Sequence, residues 1–222
     1  LTFSLPNTNA QTPDPYPARP IKVIVGIGAG SNTDALGRLA ATFLSKQLNQ
    51  AVVVENRPGA GGNVGSEFVA KAPPDGHTLL MGTIAVLAIN PSLYKNVPYD
   101  AFKDFAPVCE LDTSPNVFVA TPASGITSIR QMIERARARP DDLVYASAGV
   151  GTTPHLAMEL LETMSGVKFA HIPYKGGGAV LPDLLSGRVP LHFSSLSTGA
   201  PHVRAGRLKA IAMTTPKRSP SM

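Results

Sequence analysis

The chain is poor in cysteine and has no long apolar run. Cys109 is the single cysteine among 222 residues, so the sequence supports neither an intrachain disulfide nor a thiolate metal cluster. With Val108 and Leu111 close by, Cys109 is predicted to be a small core residue. No stretch approaches the roughly 20 apolar residues of a membrane-spanning helix, so no spanning segment is predicted.

Sequence motifs of several enzyme classes are also missing. The five histidines show no H-E-x-x-H spacing, and neither G-x-S-x-G nor the phosphate-binding motif G-x-x-x-x-G-K-[ST] occurs. No pair of carboxylates stands out as an acid–base couple. These absences disfavour zinc peptidases, serine hydrolases and P-loop enzymes, and no metal site is predicted.

The balance of charges favours small anionic ligands. The chain has 20 Lys and Arg against 15 Asp and Glu, a net charge of +5. The basic residues are dispersed except at 130–139, which we interpret as a solvated helix face rather than a nucleic-acid stripe. No nucleic-acid partner is therefore predicted.

The stretch around which the chain is organised is 21–34. A buried-strand pattern, Ile21–Val25, runs into a glycine-rich turn, and an amphipathic helix is predicted from 33 to 48. Thr33 or Asn32 is the predicted N-cap, and Asp34 is placed to favour the helix dipole. Free backbone N–H groups at such a helix start form a site for an anion. The helical spacing predicts one buried stripe, made of Leu36, Leu39, Ala40, Phe43, Leu44 and Leu48.

Strand and helix patterns alternate along the whole chain. Further strands are predicted at 51–55, 78–81, 116–120, 143–147, 168–172, 189–193 and 208–214. This regularity predicts an α/β protein with two Rossmann-like lobes, mainly parallel sheets, and a ligand cleft between the lobes. An irregular segment divides lobe one (16–106) from lobe two (107–222). The segment 1–15 is interpreted as a leader or signal-peptide remnant, from which export is expected.

Two interpretations of the first glycine-rich turn stay open at this point. Gly26, Gly28 and Gly30 approach the dinucleotide fingerprint of an NAD- or FAD-binding oxidoreductase, but Ser31 stands where that fingerprint needs a glycine. Alternatively, loops 26–34 and 147–155 face each other and cradle a small carboxylate through backbone N–H groups. The second interpretation demands no catalysis and favours a binding protein.

Two side chains near these loops are candidates for ligand contact. His155 stands in the first turn of a predicted helix, where contact with a ligand and simple packing are equally compatible with its position. Lys175 stands beside three glycines, where it faces either a carboxylate or solvent.

Several longer motifs are specific. They are ENRPGAGGNVG at 55–65, PDGHTLL at 74–80, INPSLY at 89–94 and HIPYKG at 171–176. With these motifs the chain resembles the Bug family, the extracytoplasmic solute receptors of tripartite tricarboxylate transporters. The resemblance extends over nearly everything from Tyr16 onward.

The resemblance implies a periplasmic, monomeric receptor of the type II Venus-flytrap class, without a cofactor. Such a receptor closes over a small carboxylate and delivers it to membrane permease subunits; a ligand sensor for a membrane kinase is the alternative. The family's ligand contacts, carried over by position, are Gly28, Gly30, Ser31, Asn32, Thr33, Asp34, Thr83, Ser147, Gly149, Gly151, Thr152, Thr153 and His155.

The chain departs from the family pattern in three places. The first loop lacks the prolines of the family's Phe-Pro-Pro-Gly-Gly-Gly, which leaves the ligand unnamed. Ser194 and Ser195 replace a more polar pair such as Asp-Asn. Family members continue beyond 217–220, so a truncated product is expected, in which lobe one is incomplete and apolar surface is exposed.

Overall fold

The computed structural model describes residues 15–140, 142–217 and 219, so most of the predicted leader and the last residues lie outside the described residues. The strands are β1 (Ile21–Val25), β2 (Val52–Asn56), β3 (Thr78–Met81), β4 (Asn116–Ala120), β5 (Val144–Ser147), β6 (Ala170–Pro173), β7 (Leu191–Ser195) and β8 (Lys209–Met213). The helices are α1 (Asn32–Leu48), α2 (Asn63–Ala70), α3 (Asn90–Leu93), α4 (Ile129–Ala138), α5 (Thr153–Ser165), α6 (Gly177–Leu185) and α7 (Leu196–Arg204).

The first sheet is parallel throughout and has the strand order β2-β1-β3. Its central strand β1 is apolar because helices cover both of its faces: Ile21, Ile24 and Val25 are fully buried. Helix α1 packs against β1 and β2, and α2 packs against β1 and β3. We call these three strands with α1–α3 lobe one.

The second sheet has the order β6-β5-β7-β4-β8 and forms lobe two with α4–α7. Strand β5 runs parallel to β6 and β7, whereas β4 lies antiparallel between β7 and β8. Strand β4 has the largely apolar sequence NVFVA because it lies inside the sheet and is covered on both faces. Val117, Phe118 and Val119 are fully buried. The predicted α/β fold with two lobes and mainly parallel sheets is confirmed, with β4 as the exception.

Lobe two carries the larger core, in two layers. On one face of the sheet, Phe118 and Tyr145 pack with Met132 of α4 and Met158 of α5. On the other face, residues of β4 and β5 pack with Val180 and Leu184 of α6. The sheet is therefore packed on both faces, and the loops at its strand ends are positioned by buried elements on both sides.

Two sequence predictions about burial were wrong. Leu39 and Phe43 of α1 are 68% and 62% exposed, and the helix turns Gly37 and Ala41 towards the sheet instead. The approach at Gly37 is close, since a Cβ there would lie 3.2 Å from Val25 Cγ2. Because the helix packs so closely on the sheet, the positions that face the sheet hold small residues rather than large ones. Cys109 is exposed because it lies in a surface segment without regular secondary structure.

No helix in the described part of the chain is both long and apolar enough to cross a membrane.

Candidate functional site

Four loops, together with Tyr94 after α3, line an open cavity of about 290 Å³ between the two lobes, which we call the interlobe cavity. Lobe one contributes the turn after β1 and the glycine turn after β2, and lobe two contributes the loops after β5 and β6. All four loops follow the carboxyl ends of parallel strands, which is where open α/β sheets form their crevices. The lining residues are Gly26, Ile27, Pro58, Gly59, Ala60, Gly61, Gly62, Tyr94, Ala148, Gly149, Val150, Pro173, Tyr174 and Lys175.

The loops pair across the cavity differently from the sequence prediction. The turn after β1 contacts the loop after β6, because Gly28 N donates to Lys175 O at 3.0 Å. The loop after β5 contacts the glycine turn after β2, and a Cβ on Gly61 would lie 2.9 Å from Val150 O. Loops 26–34 and 147–155 therefore share the cavity, but each makes its direct contact with another loop.

The start of α1 already interacts with a carboxylate of the chain itself, the side chain of Asp34. Ser31, rather than the predicted Thr33 or Asn32, is the N-cap, and its Oγ accepts from Asp34 N. The Asp34 carboxylate accepts from Gly30 N at 3.0 Å and from Asn56 Nδ2 at 2.9 Å.

The charge of Asp34 is stabilised in place. Burial alone would raise the pKa of Asp34, but hydrogen bonds from Arg38, Gly30 N and Asn56 outweigh it, and the pKa lies below its ordinary value. A dinucleotide enzyme places the cofactor's pyrophosphate at this helix start. Because Asp34 already accepts from Gly30 N, a donor that a pyrophosphate at this helix start would need, the arrangement counts against the oxidoreductase alternative.

Three other helices begin at loops that line the cavity, and no side chain caps them. They are α2, α5 and α6, whose N-cap residues are Gly62, Thr152 and Gly176. Thr152 Oγ1 donates instead to Gly149 O at 2.6 Å. Uncapped helix starts leave N–H donors and the positive end of the helix dipole available to an anion.

The electrostatics of the lining also favour an anion. Of the described residues that line the cavity, Lys175 alone carries a charge. Among the described residues, no acceptor is paired with the backbone N–H of Ala148 or Val150. The cavity therefore offers one ammonium group and several backbone donors.

The predicted ligand contacts take up different positions around this cavity. Gly149 lines it. Asn32 joins the lobes, since its Nδ2 donates to Asp112 Oδ2 at 3.2 Å and its Oδ1 accepts from Ser197 Oγ at 2.6 Å. Thr83 has a buried Oγ1 without a partner among the described residues. Thr33 and Thr153 lie in the first turns of α1 and α5.

The remaining predicted contacts lie behind the lining. Ser147 is fully buried and its Oγ lies 2.7 Å from His171 Nε2. Gly151 donates its N–H to His155 Nδ1 at 3.3 Å. The ring of His155 stacks on that of His171, with 4.6 Å between the centroids. These residues support the loop after β5.

Sequence reasoning missed the glycine turn after β2 as part of the lining. The signal was present, because 58–62 follow β2, and β2 pairs in parallel with β1. Two strands paired in parallel bring their following loops to the same edge of the sheet. Gly62, with φ of 101°, adopts a conformation that favours glycine, and a Cβ there would meet Val86 Cγ1 at 2.7 Å.

A larger groove of about 600 Å³ lies on the outside of lobe one, beside α2. The guanidinium group of Arg57 in this groove stacks 3.6 Å over the Phe68 ring and pairs with Glu55. Lys71 and Arg19 of this groove also pair with carboxylates of the chain. Because its cations are largely neutralised and it lies away from the interlobe loops, we do not place the ligand there.

The family model of the tripartite tricarboxylate transporter family receptor, TctC, matches residues 36–222. The chain belongs to this family. Its predicted relationship to the Bug receptors is confirmed: it is 38% identical over 207 residues to BugT of Bordetella pertussis, covering 93% of this chain and 64% of BugT. It is also 38% identical over 222 residues to a UPF0065 protein of Pseudomonas sp. strain P51, covering 100% of this chain and 66% of that protein. The chain thus spans about two thirds of the length of these relatives.

Solved structures of similar proteins share the fold. An R. palustris protein solved with adipate has a TM-score of 0.87 and 39% identity, covering 91% of this chain and 68% of its own. MatC from Rhodopseudomonas palustris, with bound malate, has a TM-score of 0.83 and 29% identity, covering 92% of this chain and 70% of its own. The fold is that of the periplasmic binding proteins.

Proposed function

We propose that this TctC-family chain is the ligand-capturing part of a periplasmic solute receptor, a binder of small carboxylates and not an enzyme. The observation that carries the proposal is the interlobe cavity, where the uncapped starts of α2, α5 and α6 converge near Lys175. Backbone donors, helix dipoles and one cation suit a carboxylate. The relatives solved with adipate and malate support this ligand class.

The proposed contacts follow from the lining. The N–H groups of Ala148 and Val150 bind one carboxylate group, and the Lys175 ammonium neutralises it. The predicted contacts at Asn32, Thr33, Thr83, Thr152 and Thr153 remain part of the proposal, whereas the N–H groups of Gly28 and Gly30 already donate to Lys175 O and to Asp34. Lobes one (16–106) and two (107–222) then close around the ligand, and the Gly28–Lys175 and Asn32–Ser197 hydrogen bonds hold the closed form.

The partners are proposed from the family. A receptor of a tripartite transporter delivers its ligand to membrane permease subunits, and we propose that this protein does so as a monomer.

Thermal unfolding in the presence of candidate ligands tests the proposal. A ligand that binds the folded state adds about 2.7 kcal/mol at 100 times its Kd, so Tm should rise with the concentration of malate, adipate or citrate. NAD and FAD are the controls and should leave Tm unchanged. A rise with either cofactor and none with any carboxylate would reject the receptor in favour of the oxidoreductase.

Replacing Lys175 by methionine is expected to weaken malate binding by roughly 10-fold, because a charge-assisted contact is lost at an exposed site. Calorimetric titration at low and moderate NaCl measures the effect. Salt should weaken binding in the wild type more than in the variant, since screening acts on the missing charge. Lys209→Met, on the exposed part of β8, is the matched control and should bind as the wild type does. Equal affinities of wild type and Lys175→Met would remove Lys175 from the site.

A further inference from the structure

Three rings form a stack behind the loop that follows β5. His171 of β6 lies between Tyr145 of β5 and His155 of α5, with centroid distances of 4.6 Å on both sides. The rings are nearly parallel, at 14° to Tyr145 and 27° to His155. The stack holds the two histidines beside the loop 147–152, which lines the interlobe cavity through Ala148, Gly149 and Val150.

Each histidine is linked to one glycine N–H of this loop. His171 Nε2 lies 2.7 Å from Ser147 Oγ, and the same Oγ accepts from Gly149 N at 3.1 Å. His155 Nδ1 accepts directly from Gly151 N at 3.3 Å. The loop therefore has its N–H groups at 149 and 151 tied to the protein, whereas those of Ala148 and Val150 have no acceptor among the described residues.

The hydrogen bond from Gly151 defines the tautomer of His155. A backbone N–H can only donate, so Nδ1 of His155 carries no proton. The ring proton of the neutral form is then on Nε2, which lies 3.5 Å from Glu159 Oε1.

We propose that His171 and His155 are positioning residues, which hold loop 147–152 so that the N–H groups of Ala148 and Val150 face an anion in the cavity. This inference rests on the proposed carboxylate-binding function. It assigns His155 a supporting role in place of the ligand contact predicted from sequence.

The surroundings keep His171 neutral. Burial and the neighbouring His155 lower the pKa of His171 to about 4, against an opposing effect of Glu162. The other titratable or charged groups around the two rings are Tyr145 on β5 and Glu159 on α5, and Glu162 is paired with Lys168 at 2.6 Å. At neutral pH the hydrogen bonds to the loop are therefore made by an uncharged His171.

Amide hydrogen exchange in the unliganded protein tests the inference without any ligand. Phenylalanine keeps a ring in the stack but has no nitrogen. We expect His171→Phe to speed exchange at Gly149, and His155→Phe to speed exchange at Gly151, each by roughly 5- to 10-fold. His202→Phe, on α7 and outside the stack, is the matched control and should leave both amides unchanged. Unchanged exchange at both glycines in the two stack variants would overturn the proposal.

A rescue variant separates positioning from general packing. In His155→Asn, the side-chain oxygen takes the place of Nδ1 as an acceptor. Exchange at Gly151 should therefore be as slow in His155→Asn as in the wild type, and faster in His155→Phe. Adipate affinity should follow the same order, with the wild type and His155→Asn binding more tightly than His155→Phe. Exchange at Gly151 as fast in His155→Asn as in His155→Phe would overturn the proposal. If the glycine amides respond as expected and neither adipate nor malate binds the wild type, the carboxylate-binding function fails and the support of the loop by the histidines stands.

Discussion

Alanine at position 28 is expected to weaken adipate binding by roughly 10- to 100-fold, because the added Cβ forces apart two loops that belong to different lobes. That Cβ would lie 2.2 Å from Lys175 O, the oxygen that accepts from Gly28 N. The obstructing atom belongs to the backbone, so no side-chain rotation relieves the overlap. Gly28 is not among the glycines with positive φ, so alanine introduces no backbone strain of its own.

Calorimetric titration with adipate and small-angle scattering together measure the consequence of Gly28→Ala. The variant should bind weakly and keep a larger radius of gyration in saturating adipate, while its unfolding stays cooperative. Gly177→Ala is the matched control, because it changes a glycine at the start of α6, directly after the opposing loop, whose Cβ would meet nothing within 4 Å. Wild-type affinity in Gly28→Ala would show that closure does not use this contact.

Lowering the pH from 7 to 5 is expected to remove about 2 kcal/mol of unfolding free energy through His192 alone. His192 is 1% exposed in β7, and its Nδ1 lies 2.9 Å from Ala146 O. Burial lowers the pKa of His192 to about 4, although the hydrogen bond to Ala146 opposes this shift. In the unfolded chain the pKa of histidine is near 6.5, so the unfolded state binds more protons between these two values. Stability therefore falls as the pH falls through this window.

Urea unfolding at several pH values isolates the contribution of His192. In His192→Asn, the amide nitrogen can still donate to Ala146 O, but it does not titrate. The difference in unfolding free energy between wild type and variant should shift by about 2 kcal/mol from pH 7 to pH 5, and stay constant from pH 7 to pH 8. Contributions of other groups, such as Asp34, cancel in this difference. Parallel curves down to pH 5 would show that His192 is not held neutral by the fold.

The strands were largely predictable from the sequence. The predicted bounds of β1, β3 and β4 coincide with those of the structure, Ile21–Val25, Thr78–Met81 and Asn116–Ala120. Each is a short apolar or β-branched run bounded by glycine, proline or polar residues, and this local signal needs no tertiary information. The other strands differ by one or two residues at their ends, where the local pattern is weakest.

The buried side of α1 was not predictable from its apolar spacing. The pattern indicated large residues, yet Gly37 and Ala41 face the sheet while Phe43 is exposed. How closely a helix approaches a sheet depends on the strands beneath it, here Val25 and Met81. Those neighbours are distant in sequence, so a helical pattern alone cannot rank Gly37 above Leu39.

The sequence by itself determined that the stretch 21–34 is a strand, a glycine-rich turn and the start of a helix, and that a matching turn follows β5. It determined the family as well, through motifs such as ENRPGAGGNVG. Only the tertiary structure decided that Asp34 occupies the start of α1, and that the turn after β1 meets Lys175 rather than the loop after β5. The reason is physical. Composition shows which backbone groups are free to bind, but the groups that they meet depend on how the two sheets are brought together across the cavity.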